Sequence, residues 1–253
     1  MSLVRIAIEG PIARLTLADP ARANVLSRAM MTALSEALAE ANASPDTRAV
    51  VLAAEGRIFC AGHDLSELLA IEGEPEGLAL FGQCSELMTS IVRSPRPVIA
   101  QVQGAAVAAG CQLVASCDLA FASEGARFAV SGIDLGLFCS TPSVAVSRAI
   151  GRKAAMEMLL TGRFIDATEA QRLGLINRAV PAADLERTVA ESARTIAAKA
   201  AEAIALGKEL FNRQLGLDLT AAYGAAGEAM AKNLALACAQ AGIKGFLERR
   251  GAA

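Results

Sequence analysis

The chain has 253 residues, 54% of them hydrophobic, a formal charge of -2 and an isoelectric point near 5.6. No Pro-, Gly- or Ser-rich linker divides it, so it reads as one compact unit. Near-neutral charge leaves no global basic field and excludes nucleic acid as a general partner. Aromatic residues are only 4%, there is no Trp, and mean hydropathy is +0.41. Alanine and aliphatic side chains must therefore build the core, with further apolar surface expected between subunits. The six cysteines show no CxxC pair and no zinc spacing, which predicts reduced thiols and a cytoplasmic protein. The N-terminus enters a strand pattern at once, with no expected signal or transit segment.

Strand-like runs at Leu3–Ile8 and Arg14–Leu17 open the chain. Ser27 is a predicted N-cap for a helix with Met30, Leu34, Leu38 and Ala41 on one face. A strand at Ala49–Ala53 follows, then a helix carrying Phe81, Cys84, Met88 and Ile91. The uncharged run from Pro97 to Cys117 is 21 residues long, enough on length alone for a membrane span. Gln101, Gln103, Gln112, two glycines and a proline argue against one. The run divides instead into a strand at Val98–Val102, a glycine turn and a buried helix. Another strand is predicted at Leu119–Ala122. Asp166-Ala167-Thr168-Glu169 has capping-box spacing, and Gly174 closes that short helix. From Ala183 onward strand signals stop and alanine-rich helices run to Arg250. The pattern predicts an α/β core over residues 1–182 and a helical region over 183–253, packing on the core or on a neighbouring subunit.

Two stretches carry a mechanism: Phe59-Cys60-Ala61-Gly62-His63-Asp64-Leu65, and Val102 to Leu113 with Ala108-Ala109-Gly110. Each reads as a strand turning through glycine into a helix start, where backbone N–H groups lack intrahelical partners. Two such turns facing one another would hold a developing enolate oxygen between two amides.

Together with Arg22-Ala23-Asn24-Val25-Leu26-Ser27, Cys117 to Ser123, Leu160-Thr161-Gly162 through Gly174-Leu175-Ile176-Asn177 and Gly245 to Arg250, these stretches resemble the crotonase superfamily of enoyl-CoA hydratases and isomerases. The resemblance implies a spiral of repeated strand-strand-helix units with a C-terminal helical region, assembled as a homotrimer or dimer of trimers. It implies a coenzyme A thioester as substrate, with no permanently bound cofactor and no metal. By position, the oxyanion donors would be the amides of His63 and Ala109. Substrate contacts would fall at Arg22, Ala23, Val25, Ala61, Gly62 and Asp64. Further contacts would fall at Leu65, Gly110, Gly132, Phe246 and Arg249, with Arg22 and the terminal basic residues near the CoA phosphates.

The chain departs from the family where a hydratase carries its two glutamates. Those positions hold Gln112 and Gly132, and the later position used by isomerases holds Ser140. Glutamine cannot take a proton and glycine has no side chain, so general acid-base help of about 10²- to 10⁴-fold per group is absent there. Ala61-Gly62-His63-Asp64-Leu65 with Gly136-Leu137-Phe138-Cys139-Ser140 resembles a branch of the family lacking these glutamates. Of the polar residues left, His63 is expected to act through its amide, and Asp64 to cap a helix. Asp134 would share the face of Gly132 in an extended segment, serving as a structural hydrogen bond. Cys139 or Ser140 would need His63 as base, and Glu67 is expected to be solvated. The reading is an acyl-CoA-processing enzyme of hydratase/isomerase type without the two-glutamate route. A catalytically silent acyl-CoA binder or scaffold, or a decarboxylase or thioesterase, stays open.

Overall fold

The structure, a computed structural model, describes residues 2–251. β1 (Val4–Glu9) and β2 (Ile12–Leu17) pair as an antiparallel hairpin, and Ala13, Leu15 and Leu17 point inward at a period of two. The Ser27 side chain accepts the Met30 N–H at 3.1 Å and caps α1 (Arg28–Ala43). Met30, Leu34, Leu38 and Ala41 are buried, as their helical spacing predicts.

Three strand-strand-helix units follow. The first is β3 (Ala49–Ala54), β4 (Ile58–Cys60), α2 (Leu65–Leu69) and α3 (Glu74–Arg93). The second is β5 (Val98–Val102), β6 (Ala105–Val107) and α4 (Ala109–Ser116). The third is β7 (Leu119–Ser123), β8 (Arg127–Ala129), a 3-10 segment at Ser131–Leu135, α5 (Ser140–Ala149) and α6 (Arg152–Thr161). Each unit gives its first strand to one sheet and its second to another. Then come β9 (Ile165–Asp166), α7 (Ala167–Leu173), β10 (Arg178–Val180) and α8 (Leu185–Ala197). The large sheet has the order β1-β2-β3-β5-β7-β10, parallel from β2 onward; the small one is β4-β6-β8-β9, with β9 antiparallel.

Parallel strands covered on both faces read as unbroken apolar runs, and β3 shows why. Val50 and Leu52 enter the main core with α1 and α3, while Ala49 and Val51 turn to the opposite face against Val189 and Ala193 of α8. The strands missed in the sequence, β6, β8, β9 and β10, have three residues or fewer. That is too short to display a period of two. The predicted capping box forms by half. Asp166 accepts the Glu169 N–H at 2.7 Å, but the Glu169 carboxylate turns to the Arg163 guanidinium at 2.7 and 2.9 Å. Among the described residues no helix is long and apolar enough to cross a membrane.

The chain ends in α9 (Ala201–Gln214), α10 (Leu219–Leu234) and α11 (Ala237–Gly251). α9 lies along α3, α10 packs on α9, and α11 packs on α10. Phe211, Leu219, Tyr223, Met230 and Leu247 of these helices are all more than half exposed. A half-buried ion pair ties them to the body. Lys208 Nζ reaches Asp118 Oδ2 at 2.6 Å and the carbonyls of Ile91 (3.0 Å) and Arg96 (3.2 Å), while Asp118 also accepts the Val98 N–H at 2.7 Å. Burial raises the Asp118 pKa and the Lys208 ammonium opposes that rise. Lys208→Met leaves the carboxylate without its cation and should cost about 1.5 to 3 kcal/mol in urea denaturation; adding Asp118→Asn to it should recover part of the loss.

Candidate functional site

β4 and β6 are parallel neighbours, with Ile58 opposite Ala105 and Cys60 opposite Ala106, so both strands leave the small sheet at the same end. Ligands of parallel α/β sheets gather at such carboxyl ends. β4 exits through Ala61, Gly62 and His63 into α2, and β6 exits through Ala108 into α4. Gly62 has φ +94°, and a Cβ there would sit 3.0 Å from the Val107 carbonyl and 3.3 Å from the Ala109 nitrogen. The two turns therefore touch, and only glycine fits between them. Ala108 is held at φ 49° and ψ -115°, a backbone conformation costing a non-glycine residue about 1 to 3 kcal/mol. Its N–H bonds the Ala129 carbonyl at 2.8 Å and its carbonyl accepts the Gln112 N–H at 3.0 Å. This bend makes Ala109 the first residue of α4, where an N–H has no intrahelical acceptor. Gly110 packs directly against the Cys60 carbonyl.

A third segment straps the first turn. Ala23 and Asn24 are both left-handed, at φ 54° and 51°. The Ala23 carbonyl accepts the Ala61 N–H at 3.1 Å, and the Leu26 N–H bonds the Gly62 carbonyl at 2.8 Å, with half-buried Val25 between them. Asn24, not singled out in the sequence, is the anchor. It is fully buried, donates to the Glu55 and Ile58 carbonyls at 2.9 Å each, and accepts the Asp19 N–H at 3.0 Å. Its signal was the preference of asparagine for left-handed backbone. Asp64 caps α2 as expected, accepting the Ser66 N–H at 2.9 Å and the Ser66 hydroxyl at 2.6 Å. The Ser66 hydrogen bonds, with the Arg22 charge beside them, hold its carboxyl below the usual range. Arg22 pairs with Asp64 and lies 3.9 Å from Asp19, while Leu65 faces solvent.

His63 Nδ1 lies 3.3 Å from the Leu26 carbonyl, and the ring meets the edge of Phe81 with centroids 5.6 Å apart. A carbonyl only accepts, so Nδ1 donates in this contact, and in the neutral ring the lone pair lies on Nε2. Nε2 is buried and has no hydrogen-bond partner among the described residues. Burial depresses the imidazole pKa, against opposing contributions from the Leu26 carbonyl and Glu67. Glu67, expected to be solvated, instead accepts the Arg28 N–H at 2.9 Å.

The three positions singled out in the sequence as lacking acids, Gln112, Gly132 and Ser140, lie on three different segments. Gln112 is buried on α4 with Oε1 3.9 Å from the Cys84 thiol. Gly132 donates its N–H to Cys139 Sγ at 3.2 Å, and a Cβ there would meet the Leu137 carbonyl at 2.5 Å and the same sulfur at 2.7 Å. Asp134 departs from expectation: the segment is 3-10, not extended, so Asp134 is exposed with its carboxylate against Gly162 at the end of α6. Ser140 opens α5 on the surface, with Oγ 3.3 Å from the Phe138 carbonyl. Burial pushes the Cys139 thiol up, and raises Cys60 and Cys111 to about 12 and Cys84 to about 11. A raised thiol carries little thiolate near neutrality, which disfavours Cys139 as a nucleophile. Phe246 and Arg249 lie on α11, where Arg250 sits 5.7 Å over the Phe246 ring, and the fold packs that helix on α10. No group of three or more His, Cys, Asp or Glu among the described residues is placed to hold a metal ion.

Residues 7–253 match the Enoyl-CoA hydratase/isomerase family. The chain is 45% identical over 239 residues to enoyl-CoA hydratase domain-containing protein 3, mitochondrial, of Rattus norvegicus, covering 94% of this chain and 80% of that one. It is 36% identical over 248 residues to a putative enoyl-CoA hydratase of Thermus thermophilus, covering 96% of each. Among solved structures it superposes on an enoyl-CoA hydratase of Mycobacterium smegmatis with TM-score 0.95 and 49% identity, covering 98% of this chain and 96% of that one. Against human enoyl coenzyme A hydratase domain-containing protein 3 the TM-score is 0.94 and the identity 43%, with 98% of both chains covered. The repeated strand-strand-helix units thus form a crotonase fold, and the chain belongs to the enoyl-CoA hydratase/isomerase family.

Proposed function

We propose that this protein is an acyl-CoA-processing enzyme that binds a coenzyme A thioester with its carbonyl oxygen between the backbone amides of His63 and Ala109. The observation that carries this reading is the contact of the two turns, with Gly62 3.3 Å from the Ala109 nitrogen at the position of an added Cβ. Two amides brought together this way stabilise an enolate with no help from side chains, at about 2.7 to 4 kcal/mol per donor. In this reading Ala23, Val25, Ala61, Asp64, Leu65, Gly110 and Gly132 border the thioester path. Arg22 exchanges part of its carboxylate pairing for a CoA phosphate. Coenzyme A enters as part of the substrate.

Gln112 and Gly132 support a chemistry other than two-glutamate hydration. Reactions resting on enolate stabilisation, isomerisation or decarboxylation, suit the site better. The same two residues favour a second reading, a silent acyl-CoA binder. Turnover and calorimetric binding on one panel of enoyl-CoA and acyl-CoA thioesters separate the two: tight binding without turnover establishes the binder.

The half-exposed apolar residues of α9, α10 and α11 support a homotrimer or dimer of trimers, in which Phe246 and Arg249 would reach a neighbouring subunit's site. Six unpaired thiols support a reducing compartment, the cytoplasm in this proposal, whereas the mitochondrial name belongs to the relatives.

Gly62→Ala separates the turns and should weaken thioester binding or turnover by about 10²- to 10³-fold, measured beside the melting temperature. Gly132→Glu should lower the melting temperature and leave crotonyl-CoA hydration at background, because the Leu137–Cys139 loop occupies the space of the new side chain. Rapid crotonyl-CoA hydration by the unaltered protein, surviving both Gln112→Ala and Asp134→Ala, would contradict this account of the missing acids.

A further inference from the structure

We propose that Ala108 is a positioning residue for the thioester carbonyl, its methyl group braced against Gly62 so that the two turns keep one spacing. This rests on the thioester reading above. Alanine does not suit the backbone at this position, which is held at φ 49° and ψ -115°. Side chains at positive φ are tolerated mostly in the left-handed helical well, where Ala23 sits at φ 54° and ψ 31°. Ala108 lies outside that well. Elsewhere the chain meets the demand for positive φ with glycine, at Gly10, Gly62 and Gly162 among others. Strain that the loss of one methyl group would relieve, kept at the meeting of the two turns, calls for a use of that methyl.

The methyl has a definite contact. A Cβ built on Gly62 would stand 3.1 Å from the Ala108 Cβ, so the Ala108 methyl covers the face of Gly62 from which a side chain would project. The space between the turns holds one methyl group, and the second turn supplies it. Ala108 is half-buried and packed against the main core, which backs the methyl from behind. Repulsion at contact distance is steep, so a backed methyl stops the turns from closing further.

Both peptide groups of Ala108 are tied as well. Its N–H bonds the Ala129 carbonyl of β8 at 2.8 Å, and its carbonyl accepts the Gln112 N–H at 3.0 Å as the first bond of α4. In a trans peptide the N–H points opposite to the C=O, so anchoring the Ala108 carbonyl in α4 turns the Ala109 N–H out of the helix. The backbone bonds thus set the direction of that donor, and the methyl sets its distance from the His63 turn. Glycine at position 108 would keep the first restraint, lose the second and gain backbone freedom.

The test follows the infrared stretch of butyryl-CoA labelled with carbon-13 at the thioester carbonyl, which falls in frequency when amides donate to the oxygen. Melting temperature is measured in parallel, as is calorimetric Kd for butyryl-CoA and for S-butyl-CoA, the thioether without that oxygen. Binding to the unaltered protein should lower the stretch. Ala108→Gly should melt at the same temperature or higher, yet show a smaller and broader shift and lose about 2- to 10-fold of the preference for thioester over thioether. An unchanged shift and preference, or a loss that comes with a lower melting temperature, overturns the proposal and leaves the thioester reading standing. Gly62→Ala gives a second arm, because it puts another methyl into the same space. Adding Ala108→Gly to it should recover part of the shift, so that one substitution harms the unaltered protein and helps the variant. Harm in both backgrounds refutes the brace. Bound butyryl-CoA with no carbonyl shift in the unaltered protein, or failure to bind any acyl-CoA, overturns the thioester reading and this proposal together.

Discussion

The parallel pairing of β4 with β6 is the constraint on which the rest of the site depends. It brings two strand ends to one edge, so the turns that follow must share space. Glycine at position 62 admits the approach, and strain at Ala108 aims the first turn of α4 toward it. Neither feature would persist in an isolated peptide. Asn24, buried and bonded to two carbonyls, and the backbone strap from Ala23 to Leu26 hold the first turn from behind. The Ala108–Ala129 hydrogen bond holds the second. Local strain of a kcal/mol or more is offset by this surrounding structure.

Around these turns the packing is largely apolar. Burial raises the thiols of Cys60, Cys84, Cys111 and Cys139, and the carboxylates of Asp64 and Glu67 are engaged in structural bonds. Backbone amides keep their polarity whatever surrounds them, so such an environment strengthens them as electrostatic donors.

The long elements were legible because burial imposes a period. The strands at β1, β2, β3, β5 and β7 and the apolar faces of α1 and α3 fall where alternation and helical spacing put them. Errors came where side-chain orientation depends on local geometry over a few residues. Asp134 shares a face with Gly132 only in an extended chain, and the segment is 3-10. Glu67 lies on the short helix α2, whose neighbour, the start of α1, has an amide to satisfy. Glu169 has the right spacing for a reciprocal cap but meets a stronger partner in Arg163.

By itself the sequence determined the family, the α/β core, the two glycine turns and the want of acids at Gln112, Gly132 and Ser140, since residue type and spacing carry these directly. Only the tertiary structure decided that the turns touch, that no acid side chain fits at Gly132, that Lys208 and Asp118 join α9 to the body, and that His63 Nε2 is buried without a partner among the described residues. Those properties are distances between residues far apart in the chain, and a hydrogen bond or its absence exists only once packing has chosen the neighbours.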